Sequence, residues 1–441
     1  MKSEHASLLF KNILFIVAFA IMFGVEFSYR KPLFDRSIEL QLQLQEKQTK
    51  AATVIFKIFS VWGDGYPYFI IYAFILNWEN RARSFYYLAF LSAELFVVNI
   101  TKMAYHEPRP FMFEDRLNLP SGCSTEYGNL SGHSLFAASF NLFVFLDFYH
   151  GSWKGKSYSK LLYAFLLFLA VALFILVGFS RFYLNVHTFN QIVYGWTFGI
   201  WLAFYFHFCM RDILMKHIEN ISERKEYQVP YMNCISISFL IFVAVFMSQV
   251  ATYLIVEETF TADPKWIRNI YIKCGKDTTK KNGTLSYKQV IDSGISTAFY
   301  GGYLGILVYR KIFGVAHKDI LKVNSLVIIK FVARIIVMGI MGIPAILLYF
   351  LLPDTAHLAV LIIFKTLLPV NYGAFIIYGF SYTVFKKLRL LNKNVIEVQV
   401  QNEHSQIHDQ SQIDRDDAKY HQNQKNEEIE MVSNRLQNQM D

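Results

Sequence analysis

Charge is scarce in this chain. Only 17% of its 441 residues are Asp, Glu, Lys or Arg, while 54% are hydrophobic and 17% aromatic. Soluble globular chains carry charge on about a quarter of their residues, so that class is excluded first. Cysteine is scarce too, and four are too few for a disulfide framework to stand in for a core. No internal repeat of roughly 20–50 residues recurs, which sets aside solenoids and propellers. The apolar N-terminus lacks a convincing small-residue cleavage site, so it reads as an uncleaved first helix. Nothing in the pattern calls for a nucleic-acid partner.

What the chain has is apolar length. Runs of about 20 residues, enough to cross a hydrocarbon core, fall near 8–28, 56–78, 84–101, 132–149, 159–179, 188–209, 234–256, 293–312, 326–352 and 357–382. The expected fold class is therefore all-α, a polytopic membrane protein of about ten transmembrane helices with the lipid bilayer as its solvent. The weakest span is 56–78, which Lys57 and "WGDGY" interrupt, so that its first part is expected to lie along the interface. The chain divides into an N-terminal helix and connector (1–55), a core (56–210), additional helices with a long loop at 257–292 (211–385), and a tail (386–441). The tail is rich in Gln, Asn and charge with little to bury, and is expected to be disordered.

Short cytoplasmic loops collect Lys and Arg. On ten spans one side holds Arg81, Arg83, Lys154, Lys156, Lys160, Arg211, Lys216, Arg224, Lys225, Arg310, Lys311, Lys318, Lys322, Lys386, Lys387 and Arg389. That side is assigned to the cytoplasm, together with the tail. The other side, with 102–131, 180–187, 257–292 and 353–356, is then the lumen of an endomembrane such as the endoplasmic reticulum. Loop 257–292 is itself basic, but it is long and also acidic, so it weighs less in this rule. Its "NGT" at Asn282 is either a lumenal N-glycosylation acceptor or a chance tripeptide. Cys123 and Cys274 share this side and form either a disulfide or two free buried thiols.

Three polar segments interrupt the apolar text on that same side. In "KMAYHEPRP" Lys102 and Arg109 lie about two helical turns apart, and Pro108 and Pro110 end the helix and hold the arginine in a turn. In "GNLSGHS" Ser131 suits the N-cap of the span that follows, whose first amides, with Gly132, offer an anion site beside His133. In "SRFYLNVHTFNQ" Arg181 closes one span, His187 opens the next, and Gln191, four residues on, can fix the imidazole tautomer. Each residue alone has a plainer explanation. Lys and Arg at span ends usually snorkel to the interface, and a lone His is more often a satisfied polar group. Together the segments describe a phosphate site: three cations and helix-terminal amides for the phosphoryl group, one histidine to attack phosphorus and another to protonate the leaving oxygen. That chemistry needs no metal cluster and no cofactor.

The pattern KxxxxxxRP, SGH, SRxxxxxH resembles the type-2 phosphatidic acid phosphatase superfamily, which includes the vanadium haloperoxidases and the glucose-6-phosphatases. The resemblance covers roughly 56–210. It implies a six-helix core and metal-independent hydrolysis of phosphate monoesters through a phosphohistidine. It also implies residue roles: His187 as nucleophile, His133 as general acid, and Lys102, Arg109, Ser131, Gly132 and Arg181 as the phosphate cradle. Two positions depart from the family pattern. Leu130 stands where proline usually does, which should loosen the loop. Gln191 replaces an aspartate, so the imidazole is oriented while its cationic form is less stabilised. "SRFYLNVHTFNQIVYGWTFGI" is most similar to the glucose-6-phosphatases, whereas "CSTEYGNLSGHS" is similar to the sphingosine-phosphate phosphatases, which have threonine at the position of Gly132. The expected substrate is a phosphorylated lipid, phosphatidate or a sphingoid-base phosphate. The alternatives are a sugar phosphate and a catalytically weak phospholigand-binding scaffold. Glu114, Asp115, Asn118 and Glu126 lie near the site in sequence, and Glu94, Asp147, Arg334 and Lys365 are intramembrane polar residues that hint at function.

Overall fold

The computed structural model describes residues 2–78, 81–119, 123–151, 160–275, 285–316, 327–353 and 355–391. The acceptor Asn282 and the tail beyond 391 lie outside the described residues. Among those described, the chain is helical with no strand. In a bilayer that is the expected outcome, because a helix satisfies its own backbone hydrogen bonds where no water can. The elements are α1 (Lys2–Gln45), α2 (Lys50–Trp62), α3 (Gly65–Trp78), α4 (Arg81–Tyr105), α5 (Pro110–Phe113), α6 (Gly132–Phe145), α7 (Lys160–Tyr183), α8 (Phe189–Tyr205), α9 (Arg211–Glu223), α10 (Tyr231–Thr259), α11 (Pro264–Cys274), α12 (Tyr287–Asp292), α13 (Ala298–Phe313) and α14 (Val327–Leu351). Then α15 (Leu358–Val360) runs through a π-helical stretch, Leu361–Leu367, into α16 (Leu368–Lys387).

Among the described residues seven helical stretches are long and apolar enough to cross a membrane: Ala6–Gln45, Arg81–Phe113, Lys160–Tyr183, Phe189–Glu223, Tyr231–Thr259, Val327–Leu351 and Leu358–Lys387. The other three of the ten expected spans are helical but shorter. The chain bends at Gly63 and Asp64, which divides 56–78 into α2 and α3; α6 has 14 residues before it passes into a π-helical stretch, and α13 has 16. The first span is longer than its apolar run. At 1.5 Å per residue the 44 residues of α1 reach about twice the thickness of a hydrocarbon core. Its far half carries Phe34 and Ile38, which pack on Leu117, and Gln41, whose amide donates to the carbonyls of Phe182 and His187, each at 3.0 Å.

The core beside the polar segments is aromatic. Tyr86, Tyr87 and Phe90 of α4 meet Phe140 and Phe143 of α6, with the Phe90 and Phe143 rings stacked at 3.8 Å. A second cluster joins α4 to α9, α10, α13 and α16. The intramembrane polar residues mostly fasten helices. Asp147 takes Arg211 at 2.8 Å and Arg83 at 3.2 Å, Glu94 accepts from Ser139, and Arg334 donates to the carbonyls of Asn77 and Leu390. None of these three touches the three polar segments in these contacts.

Helices α6 and α8 lie close because α8 has glycine at two successive turns. A Cβ at Gly195 would stand 2.8 Å from the carbonyl oxygen of Ser131, and one at Gly199 would stand 2.8 Å from that of Leu135. Backbone cannot give way as a side-chain tip can, so this contact fixes where Ser131 and Gly132 sit. Gly199→Val should therefore wedge the helices apart and cost about 1–3 kcal/mol, read as a fall in the thermal midpoint of the detergent-solubilised protein. An unchanged midpoint would show that the two helices have slack.

Candidate active site

Each polar segment is placed by a local feature of its sequence. Helix α4 ends at Tyr105, after which His106 takes a left-handed conformation (φ 35°) and Pro108 and Pro110 set Arg109 at the N-cap of α5. Helix α7 ends in the same way at Asn185 (φ 56°), a residue type that tolerates this region, and the amides of Val186 and His187 turn back onto the carbonyl of Arg181. Ser131 is the N-cap of α6, its Oγ accepting from the amide and hydroxyl of Ser134, while its own amide donates to the carbonyl of Gln191 at 3.0 Å. Leu130 is fully buried against Val97, Val98, Leu135, Tyr194 and Phe198. The loop expected to be loose without proline is instead held by packing.

These turns bring the expected residues together. Arg109 donates from one guanidinium nitrogen to His187 Nε2 at 3.1 Å and to the carbonyl of Val186 at 3.3 Å. His187 Nδ1 meets Gln191 Oε1 at 3.0 Å. Guanidinium only donates, so Nε2 must present its lone pair and the ring proton sits on Nδ1. His187 is buried, and burial, with Arg109, Arg181 and Lys102 nearby, holds its pKa well below the ordinary histidine range. Lys102 lies against Gly132 and bonds Glu126 at 2.5 Å. Arg181 donates to Ser60 Oγ at 2.5 Å, and its buried Nε has no hydrogen-bond partner among the described residues. A buried guanidinium N–H left open in this way points to an anion.

Four residues outside the three motif segments join the site. Asp64, at the bend between α2 and α3, pairs with His133 Nε2 at 2.8 Å, and a Cβ on Gly63 would lie 2.8 Å from that of His133. Glu126 accepts from Lys102 and Gln289, and its carboxylate lies 3.7 Å from both Arg109 and Lys288. Burial alone would push the Glu126 carboxyl up, but Lys102, Lys288 and Arg109 hold it below the usual carboxylate range. Lys288 and Gln289 come from α12, far along the chain. In the sequence Asp64 shows only as a charge inside an apolar run, and Lys288 and Gln289 carry no signal at all. By contrast Glu114, Asp115 and Asn118 are structural: they bind Arg116, Arg268 with Asn269, and Gln45.

Helix α11 packs on α5, with Lys273 donating to the carbonyls of Phe111 and Glu114, and a disulfide joins Cys123 to Cys274. Of the two cysteine readings, the bridge is the one the structure shows. Cys209 and Cys234 are free and buried.

Residues 83–214 match the family described as the PAP2 superfamily. That match supports the type-2 phosphatidic acid phosphatase superfamily. The match contains Lys102, Arg109, Ser131, Gly132, His133, Arg181, His187 and Gln191, and leaves out Asp64, Lys288 and Gln289. The match supports a phosphatase, and members of that superfamily act typically on lipid or sugar phosphates. No curated protein and no solved structure matches the chain.

The Glu126 carboxylate is the counter-charge to buried Lys102 and Arg109. Removing one partner of such an arrangement costs about 3–5 kcal/mol. Glu126→Ala should lower the thermal midpoint accordingly, and orthovanadate should restore more of it in the variant than in the parent, because an added anion replaces the lost one. Equal vanadate shifts in both proteins would separate Glu126 from the anion site.

Proposed function

We propose that this protein is an integral-membrane phosphatase that hydrolyses a phosphate monoester through a phosphohistidine on His187. The observation that carries the reading is the contact between Arg109 and His187. It turns a buried, neutral imidazole so that its Nε2 lone pair faces the cations. In the first step the Arg109 N–H passes from Nε2 to a phosphoryl oxygen, the freed lone pair forms a bond to phosphorus, the ester P–O bond breaks, and His133 gives its proton to the departing oxygen. In the second, water forms a bond to phosphorus, the P–Nε2 bond breaks, His133 takes a proton from that water, and inorganic phosphate leaves. Lys102, Arg109, Arg181 and the first amides of α6, beginning at Gly132, hold the phosphoryl oxygens, and Ser131 caps the turn that presents them. Gln191 keeps the proton on Nδ1. The step uses no metal.

The substrate class we infer is a phosphorylated lipid. Helix α2 exposes Val54, Ile55, Ile58, Val61 and Trp62, a row of apolar side chains suited to acyl chains at the interface. That helix leads directly into Gly63 and Asp64, which touch the proton donor. The leaving group therefore departs beside an apolar face, where a lipid headgroup enters sideways. The bridge bears on sidedness: Cys123 and Cys274 lie at the same end of the bundle as the site, and a disulfide persists in an oxidising lumen. This supports a lumenal site in an endomembrane, with the tail in the cytoplasm.

The deciding experiment is phosphate release by the purified protein from phosphatidate, sphingosine 1-phosphate and glucose 6-phosphate, with His187→Ala as blank. Release from the lipids, abolished in the variant and indifferent to chelators, is expected. Release from glucose 6-phosphate alone moves the assignment to sugar phosphates, and silence on all three favours a phospholigand-binding scaffold. The acid limb of kcat/KM offers a second check. An ordinary imidazole protonates near pH 6.5, and burial together with the cations around His187 pushes its protonation lower. Arg109→Gln removes one of those cations, so His187 should take its proton at higher pH and the acid limb should move up relative to the parent. A limb that stays in place would detach Arg109 from the nucleophile.

A further inference from the structure

The Gln191 side chain does more than meet His187. Its Oε1 faces His187 Nδ1 at 3.0 Å and the Thr188 amide at 3.4 Å. Its Nε2 donates to the Pro108 carbonyl at 2.9 Å and to Glu107 Oε2 at 3.0 Å. Both of those partners only accept, so the amide has one allowed orientation, nitrogen toward Glu107 and oxygen toward the imidazole. Glu107 is itself fixed. Asn190 donates to both its carboxylate oxygens, at 3.1 and 3.0 Å, and its backbone carbonyl takes the Gly128 amide at 2.7 Å. Gly128 closes the arrangement from above, since a Cβ there would lie 2.5 Å from the Gln191 amide nitrogen.

An imidazole that attacks phosphorus through Nε2 becomes positively charged. The charged groups acting on His187 are all cations, Arg109, Arg181 and Lys102. They favour the incoming phosphate and oppose the charge on the ring. The neutral amide of Gln191 offsets this only in part. On the reading of His187 as the nucleophile, we propose that Glu107 is a positioning residue for it: its carboxylate acts on the ring through the Gln191 amide, fixing that amide and polarising its oxygen toward Nδ1–H. Burial opposes the charged form of Glu107, and the Gln191 and Asn190 amides that donate to it favour that form; the other charged groups near it, Arg30 and Glu26 of α1, act with opposite signs and are paired with each other at 2.5 Å.

The test exchanges the two groups. Glu107→Gln keeps an acceptor for the Gln191 amide but removes the charge, and should lower kcat by roughly 10-fold or more, the usual scale for an outer partner of a reacting histidine, with KM held. Gln191→Glu alone sets two carboxylates face to face and should also be slow. The double variant Glu107→Gln with Gln191→Glu places the carboxylate directly on His187 and should recover most of the lost kcat, which a merely structural role for Glu107 would not produce. A Glu107→Gln protein with unchanged kcat, or a double variant slower than both single ones, overturns the proposal. Should Glu107→Gln fail to fold, Glu107→Asp keeps the charge at shorter reach and should show the same loss of kcat in weaker form. A readout independent of turnover separates this from failure of the phosphatase reading. In protein labelled with ¹⁵N-histidine, with the His187 signal assigned by His187→Ala, the pH at which the ring protonates should fall in Glu107→Gln and rise above the parent in the double variant. A titration that ignores both changes overturns the relay, even for a protein inactive on every substrate.

Discussion

The site depends on one electrostatic constraint: three cations, Lys102, Arg109 and Arg181, are buried together at one end of an apolar bundle. Like charges in such a place repel, and each has lost its water. They are tolerable only because anionic and carbonyl oxygens are built in around them. Glu126 supplies the main counter-charge, Asp64 acts on Arg181 from the other flank, and the carbonyls of Glu126 and Val186 take N–H groups of Arg109. A phosphate monoester brings close to two negative charges at neutral pH, more than the single carboxylate it would meet at Lys102. The arrangement therefore has room to exchange one anion for another.

The same constraint explains why the site reaches outside the matched family domain. Glu126 does not balance Lys102 alone but is gripped from the far side by Lys288 and Gln289 of α12. Helix α12 is held by Val290, which packs on Met103, Tyr253 and Ile362, while Leu285 just before it packs with α5 and α11, and α11 is tied to the loop before Glu126 by the Cys123 to Cys274 bridge. The additional helices are thus part of the phosphate site's outer wall. Their contribution is also electrostatic, because Lys288 is a fourth cation beside Glu126.

How much of this was legible in the sequence follows from what kind of information each feature needs. The all-α membrane character is local: apolar runs of sufficient length admit no other backbone solution. The motif residues were legible because order and spacing put them at helix ends on one side, and Gln191 because four residues is one helical turn. The bend that splits 56–78 was visible as a polar interruption. The true length of α1 was not, since its far half is amphipathic and is kept helical by packing on Leu117 and on the turn after α7. Asp64, Lys288 and Gln289 meet their partners across long sequence separations, and nothing in a single sequence encodes such a pairing. The two cysteines could be assigned to one side but not joined until α11 was seen against α5.

The departures from the family pattern are where the local reading was least sufficient. Leu130 looked like a lost constraint because proline stiffens a loop through its own ring. Here the same position is fixed from outside, by burial among side chains of α4, α6 and α8. Gln191 looked like a lost charge because an amide is neutral. Its amide nitrogen, however, can bind a carboxylate that an aspartate in its place would repel, so the charge is relocated to Glu107 and not simply missing. A substitution read one position at a time overstates the loss when the function belongs to a hydrogen-bonded set. The unit that orients this imidazole is Glu107, Pro108, Gln191 and the absent side chain of Gly128 together, and a change at any one of them is to be judged by what the other three can still hold.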